Sequence, residues 1–178
     1  MQEIEVKILE TSPEKVEEAL VKMGAEKTFD GVMETFFYDL KDGSIVKAGN
    51  ILRLRKENET VVLSFKYVTA TREAKKAQEY SVVVSELAPM QQILSSLGLV
   101  LTETMKKHRI SYHLGNVHFD FDQYLGKYSY IPGFLEIEAE SIESIHRYAE
   151  KLGFKPEDCL PWSTAQVIQH YQGKTEGH

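Results

Sequence analysis

Cysteine is nearly missing from this chain, with Cys159 the only one in 178 residues. A lone thiol excludes an internal disulfide and any cysteine metal cluster. Also missing is an apolar run long enough to cross a bilayer, and the N-terminus lacks a basic-then-apolar leader pattern. A cytoplasmic location is the expectation. Positive charge is in deficit: 21 Lys and Arg stand against 27 Asp and Glu, for a net charge of −6 and a pI near 5.6. That balance argues against nucleic acid or an anionic membrane as the main partner, although it leaves room for a local basic pocket. Low-complexity tracts and domain linkers are lacking too. What remains, 42% hydrophobic and 27% charged, suits one globular domain, taken as residues 1–172 with 173–178 as a flexible tail.

Four helices are expected. Ser12-Pro13 starts the first, with Val16, Leu20 and Met23 inward and Gly24 as its stop. The second runs from about Ala88 to Leu97 and turns Ile93, Leu94 and Leu97 inward. Ser141 caps a third with the stripe Ile142, Ile145, Ala149 and Leu152, and Ser163 to Tyr171 forms a short fourth. Strand-like segments fall at 2–9, 33–39, 51–56, 60–68, 78–84, 104–113, 117–122 and 134–140, most of them separated by turn signals such as "KDGS", "KENE" and "HLGN". Residues 68–78 form a polar loop. The fold class expected is α+β, an antiparallel eight-stranded sheet or barrel with helices outside.

The strands carry their charge on one face. "EIEVKI" sets Glu3, Glu5 and Lys7 against Ile4, Val6 and Ile8. Arg53 and Arg55 oppose Leu52 and Leu54, and Lys66 follows Ser64 on one face of "VVLSFK". Lys107 and Arg109 share a face, as do Asp120 and Asp122, and as do Glu136 and Glu138. One such row usually looks at water. The recurrence of same-sign doublets is different, because like charges two apart on a strand repel and a soluble surface usually mixes signs. Three striped helices also need an apolar sheet face to cover. If that face is outward, the charged face closes on itself as a polar tunnel. Confined cations and carboxylates of this number suit a chain of phosphates with a divalent metal: Arg and Lys neutralise phosphoryl oxygens, and carboxylates hold Mg2+ or Mn2+.

The ordered set "EIEVKI", "LRLR", "LSFK", "KKHR", Asp122 before "QYLG", and "FLEIE" resembles the CYTH domain, the triphosphate tunnel metalloenzymes, across residues 2–155. The resemblance implies an eight-stranded antiparallel β-tunnel. It implies Glu3, Glu5, Glu136 and Glu138 as metal-holding residues with Asp122 nearby, and Lys7, Arg53, Arg55, Lys66, Lys107 and Arg109 as the triphosphate grip. Glu79 and Asp120 are further tunnel candidates, whereas Lys106 falls on the opposite face. The activity implied is metal-dependent hydrolysis of inorganic tripolyphosphate or a nucleoside triphosphate, with Lys7 or Lys66 as the base or a hydroxide on the metal in that role. The alternatives are a class IV adenylyl cyclase and a non-catalytic polyphosphate- or nucleotide-binding module. The partner expected is a small-molecule triphosphate, with no nucleic acid and no membrane; a homodimer stays open.

Two departures from the family pattern stand out. Phe37 occupies a place where thiamine triphosphatases have Tyr, and the link before "FLEIE" is expanded, so that Tyr128, Tyr130 and Pro132 form either a lid or binding wall or ordinary loop packing. The six histidines contain no obvious ligand-spaced pair: His113 and His118 flank a turn and His108 faces outward. Trp162 is expected to anchor the last helix.

Overall fold

Residues 3–11, 13–70 and 75–175 are described by the computed structural model. Residues 1–2, Ser12, residues 71–74 of the expected loop and residues 176–178 of the expected tail therefore lie outside the described residues, as does the side chain of Glu3. The strands are β1 (Glu3–Ile8), β2 (Glu26–Leu40), β3 (Asn50–Glu57), β4 (Thr60–Ala70), β5 (Lys75–Val84), β6 (Leu99–Leu114), β7 (Val117–Leu125) and β8 (Phe134–Ala139). The helices are α1 (Pro13–Lys22), α2 (Ser44–Lys47), α3 (Leu87–Ser96), α4 (Ile142–Lys151) and α5 (Thr164–Thr175). The strands close into a barrel in the order β1-β5-β4-β3-β2-β6-β7-β8, and every pairing is antiparallel.

Each expected strand is present. Most are longer than the alternation indicated: β4 runs to Ala70 and β5 starts at Lys75, both inside the segment expected as a polar loop, and the longest, β2 and β6, pair from Glu26–His113 to Leu40–Leu99 across two register shifts. Short α2 had no sequence signal, and α5 runs on to Thr175, into the segment expected as tail.

The apolar strand faces point outward, under the helices. Val6, Ile8, Phe119, Leu135 and Ile137 meet Val16 and Leu20 of α1 and Ile145 and Ala149 of α4 in one buried cluster. Ser141 caps α4, its side chain accepting from the Ser144 amide at 3.1 Å. Tyr38, Leu54 and Val61 meet Leu94 of α3 in another. In α3 the expected stripe is corrected. Ile93 and Leu97 are 50% and 70% exposed, and the inward residues are Leu87, Met90 and Leu94. That i, i+3, i+7 spacing holds one helical face, and reading the stripe from Ile93 rotated it off the sheet. Replacing Ile145, 0% exposed, by Ala is expected to cost about 2–5 kcal/mol in urea unfolding; an unchanged midpoint would show that α4 adds nothing to the core.

A third cluster sits at one end of the interior. Tyr124 and Phe134, inward by alternation, pack with Tyr128, Ile131, and Val167 and Tyr171 of α5. The chain reaches that place because, among the described residues, β1 meets β5 only over Glu3–Glu5. Beyond it, Leu160 takes the edge of β1, exchanging main-chain hydrogen bonds of 2.8 and 2.9 Å with Lys7. Trp162 packs against this cluster, its ring 5.0 Å from that of His170, so it anchors α5 as expected. Among the described residues, no helix is long and apolar enough to cross a membrane.

Candidate functional site: a charged cavity inside the barrel

Antiparallel register brings remote charges into rows across the interior. Glu5 on β1 stands opposite Glu138 on β8, and Lys7 opposite Glu136. Across β8, Glu136 faces Asp120, and across β7 Asp122 faces Arg109. On the other side Arg53 faces Ser64, and Lys66 faces Glu79. Inside is a cavity of about 520 Å³. Its walls include the cations Arg53, Arg55, Lys66, Lys107 and Arg109 and the carboxylates Glu5, Asp120, Glu136 and Glu138.

Lys7 has a different place from the one its row suggested. It is 1% exposed, does not line the cavity, and sits between Glu5 and Glu136, the latter at 2.7 Å. Burial alone would lower its pKa, but Glu136 and Glu5 raise it well above the usual lysine range. Lys7 is therefore a fixed cation between two acids.

Asp122 is likewise withdrawn, at 0% exposure. One oxygen accepts from Arg109 Nε at 2.6 Å, and the other from Arg109 Nη2 and Lys107 Nζ, each at 2.5 Å. Burial pushes its carboxyl up, against the pull of Arg109 and Lys107. Arg109 reaches Asp120 and Glu136 as well, and these three acids hold it charged in spite of its burial. A carboxylate gripping a planar guanidinium at two points fixes its direction as well as its charge.

The remaining cations are less compensated. Burial, with Arg55 and Arg109 nearby, lowers Arg53 to about 10, and burial with Arg109 lowers Lys107 below the usual lysine range. Like charges crowded out of water are the cause. Arg53 donates to Ser64 Oγ at 3.1 Å and lies 3.6 Å from Glu79, which holds Lys66 at 2.6 Å. Arg55 pairs with Glu57 at 2.6 Å. Lys106 lies on the outer face with Glu34 at 3.7 Å, as alternation indicated.

The expanded loop before β8 packs; it does not form a lid. Tyr128 is 5% exposed and donates to Glu103 at 2.7 Å, and none of Tyr128, Tyr130 and Pro132 lines the cavity. The sequence reading missed the wall built by Met33 and Thr35 of β2, Ile51 of β3, Met105 of β6, Val46 of α2, and Thr164 and Ile168 of α5. Alternation could have found the β2 residues, since Met33 and Thr35 share a face with Phe37, which also lines the cavity. The contribution of α5 left no local signal.

His113 and His118 flank the hairpin turn between β6 and β7, as expected, and the hairpin register makes them cross-strand partners with ring centroids 5.0 Å apart. With Asn116, Glu138 and Glu140 they line a second cavity of about 160 Å³. His108 pairs outward with Asp30 at 3.0 Å. Among the described residues, no group of three or more His, Cys, Asp and Glu is spaced to hold a metal ion.

The architecture has close relatives among solved structures. The PH1012 protein of Pyrococcus horikoshii superposes with a TM-score of 0.76 at 24% identity, covering 93% of this chain and 99% of that one. A candidate adenylate cyclase from Vibrio parahaemolyticus gives 0.75 at 19% identity, over 94% and 97%. HpAC1 from Hippeastrum, described as a candidate adenylyl cyclase with a dominant triphosphatase activity, gives 0.65 at 14%, over 94% and 95%. At these identities the likeness is one of fold. No curated protein sequence matches the chain. The CYTH domain model matches residues 1–160. With that match over the whole barrel, the chain belongs to the CYTH domain family.

Proposed function

We propose that the protein is a metal-dependent triphosphatase acting on triphosphate-containing small molecules. The observation that carries this reading is the cavity inside the barrel in which five cations face the five carboxylates Glu5, Glu103, Asp120, Glu136 and Glu138. Arg53, Arg55 and Lys66 form one cationic bank and Lys107 and Arg109 a second, a spread that suits a chain of phosphates better than a single one. Family membership and the names of the Vibrio and Hippeastrum relatives support a triphosphate-related function at the coarser level.

A hard divalent cation fits the donor set. Glu5 and Glu138 are adjacent by register, line the cavity and offer only oxygen. Mg2+ commonly takes one or two carboxylates and completes its shell with water and substrate phosphates, so a preformed cluster of three protein ligands is not required. Glu5, Glu138 and, with Lys7 and Arg109 released, Glu136 would hold it; Glu3 joins them by family resemblance. When bound, Mg2+ or Mn2+ supplies Lewis-acid polarisation of the phosphoryl oxygens. Asp122, with both oxygens engaged by Lys107 and Arg109, aims those cations.

The chain's own residues do the rest. The cationic banks fix the phosphate chain and stabilise the charge that develops as water attacks in line. Lys7 balances Glu5 and Glu136. Lys66, 2.6 Å from Glu79, forms with it the proton-handling pair on the opposite wall.

The test is to incubate ATP and inorganic tripolyphosphate separately with Mg2+ and with Mn2+. Orthophosphate is the expected product. Cyclic AMP with stoichiometric pyrophosphate from ATP, and no attack on tripolyphosphate, would assign the protein to the cyclases. Binding without turnover would make it a binding module. Triphosphate with Mg2+ is also expected to stabilise the fold, by about 2.7 kcal/mol at a hundredfold excess over Kd. Orthophosphate should do so less, and equal shifts in melting temperature would show that the cations are not arranged for a chain of phosphates.

A further inference from the structure

The cavity wall is not charged throughout. Where β2 meets β3 and β6 it carries a crescent of apolar side chains, Met33, Phe37, Ile51 and Met105, with Val46 and Ile168 contributed by α2 and α5. Register joins this crescent to charged neighbours: Phe37 stands opposite Arg53 on β3 and opposite Glu103 on β6, whose carboxylate accepts from Lys127 and Tyr128, and Met33 stands opposite Lys107. The Phe37 main chain is tied down, its carbonyl accepting from Thr102 Oγ at 3.1 Å. The polar residues Thr35, Asn50, Thr102 and Thr164 line the same cavity.

Such a wall does nothing for a bare polyphosphate. An apolar side chain beside a phosphate strips water from the anion and returns no hydrogen bond. Thioethers and a phenyl ring do suit a flat apolar face, and a few convergent polar groups suit its edge. Resting on the triphosphatase reading of the same cavity, we infer that the substrate is an organic triphosphate whose heteroaromatic ring sits on the Phe37–Met105 crescent, with its phosphates running from Arg53 into the charged half. Phe37 is the specificity-determining residue of this arrangement.

The test compares ATP, GTP, CTP and UTP with methyl triphosphate, which has the phosphate chain and an ester group but no ring, and with inorganic tripolyphosphate. Binding is read as the shift in melting temperature, and turnover as kcat/KM. At least one nucleotide is expected to exceed methyl triphosphate by tenfold or more in kcat/KM. Phe37→Ser is expected to shrink that ratio by about tenfold, and Ile168→Asp, on a different element, gives the same readout should the first variant fail to fold. If methyl triphosphate or tripolyphosphate binds and no nucleotide does better, the inference falls while the triphosphatase reading stands. If no member of the panel binds, the triphosphatase reading falls and takes the inference with it. A ratio left intact by both substitutions overturns the assignment to this crescent.

Discussion

Replacement of Asp122 by Ala is expected to lower stability by about 3–5 kcal/mol, the usual cost of removing one partner from a buried ion pair. The carboxylate has no exposed surface and serves Arg109 and Lys107 with both oxygens. Without it, two cations share a buried space with only Asp120 and Glu136 left beside Arg109. The variant should also change its response to pH. In the native protein Lys107 is already pulled below the usual lysine value, by burial first and by Arg109 second. Loss of Asp122 lowers it further. A lysine with a depressed folded pKa costs stability while it stays protonated, and that cost is relieved as pH rises through the folded pKa towards the unfolded value. The deficit of Asp122→Ala in urea unfolding should therefore narrow on the alkaline side. A deficit below about 1 kcal/mol, within the range of an exposed pair, would show that Asp122 is not the anchor of this network.

Glu138→Gln is expected to have the opposite profile, with at least about a hundredfold loss of metal-dependent turnover, a loss on the scale of removing a transition-state stabilising group, and little change in melting temperature. Glu138 is only half-buried, lines the cavity and stands opposite Glu5. A carboxamide keeps its shape but cannot neutralise a divalent ion. Glu5→Gln should behave alike, although part of its effect will pass through Lys7, which it contacts. Activity is to be measured at saturating Mg2+ and Mn2+, with melting temperature as the control. Near-native turnover at saturating metal would remove Glu138 from the metal site. Together the two experiments separate a carboxylate that holds cations in place from one that faces the ligand, a distinction that neighbouring positions on one charged face conceal.

Much of this was legible along the chain. Alternation is a local property with a period of two, so Arg53/Arg55, Lys107/Arg109 and Glu136/Glu138 could be assigned to one face without knowing the fold. The helix stripes of α1 and α4 then required that face to be the inner one, because the apolar face was needed for them. The barrel and most of the cavity wall follow from those two facts.

What periodicity could not supply was depth and partnership. Lys7 and Asp122 alternate with the same phase as Glu5 and Asp120, yet Leu160 and the arms of Arg109 and Lys107 withdraw them from the cavity. His113 and His118 became partners through hairpin register, and the segment leading to α5 reached the barrel because Leu160 takes the edge of β1 at Lys7. The apolar crescent stayed hidden for a related reason. Met33, Thr35 and Phe37 carry no charge pattern, and their neighbours Met105 and Ile168 come from elements far along the chain. Faces are set by bonds between adjacent residues, whereas burial and ion pairing are set by contacts between distant ones, which exist only once the barrel has closed.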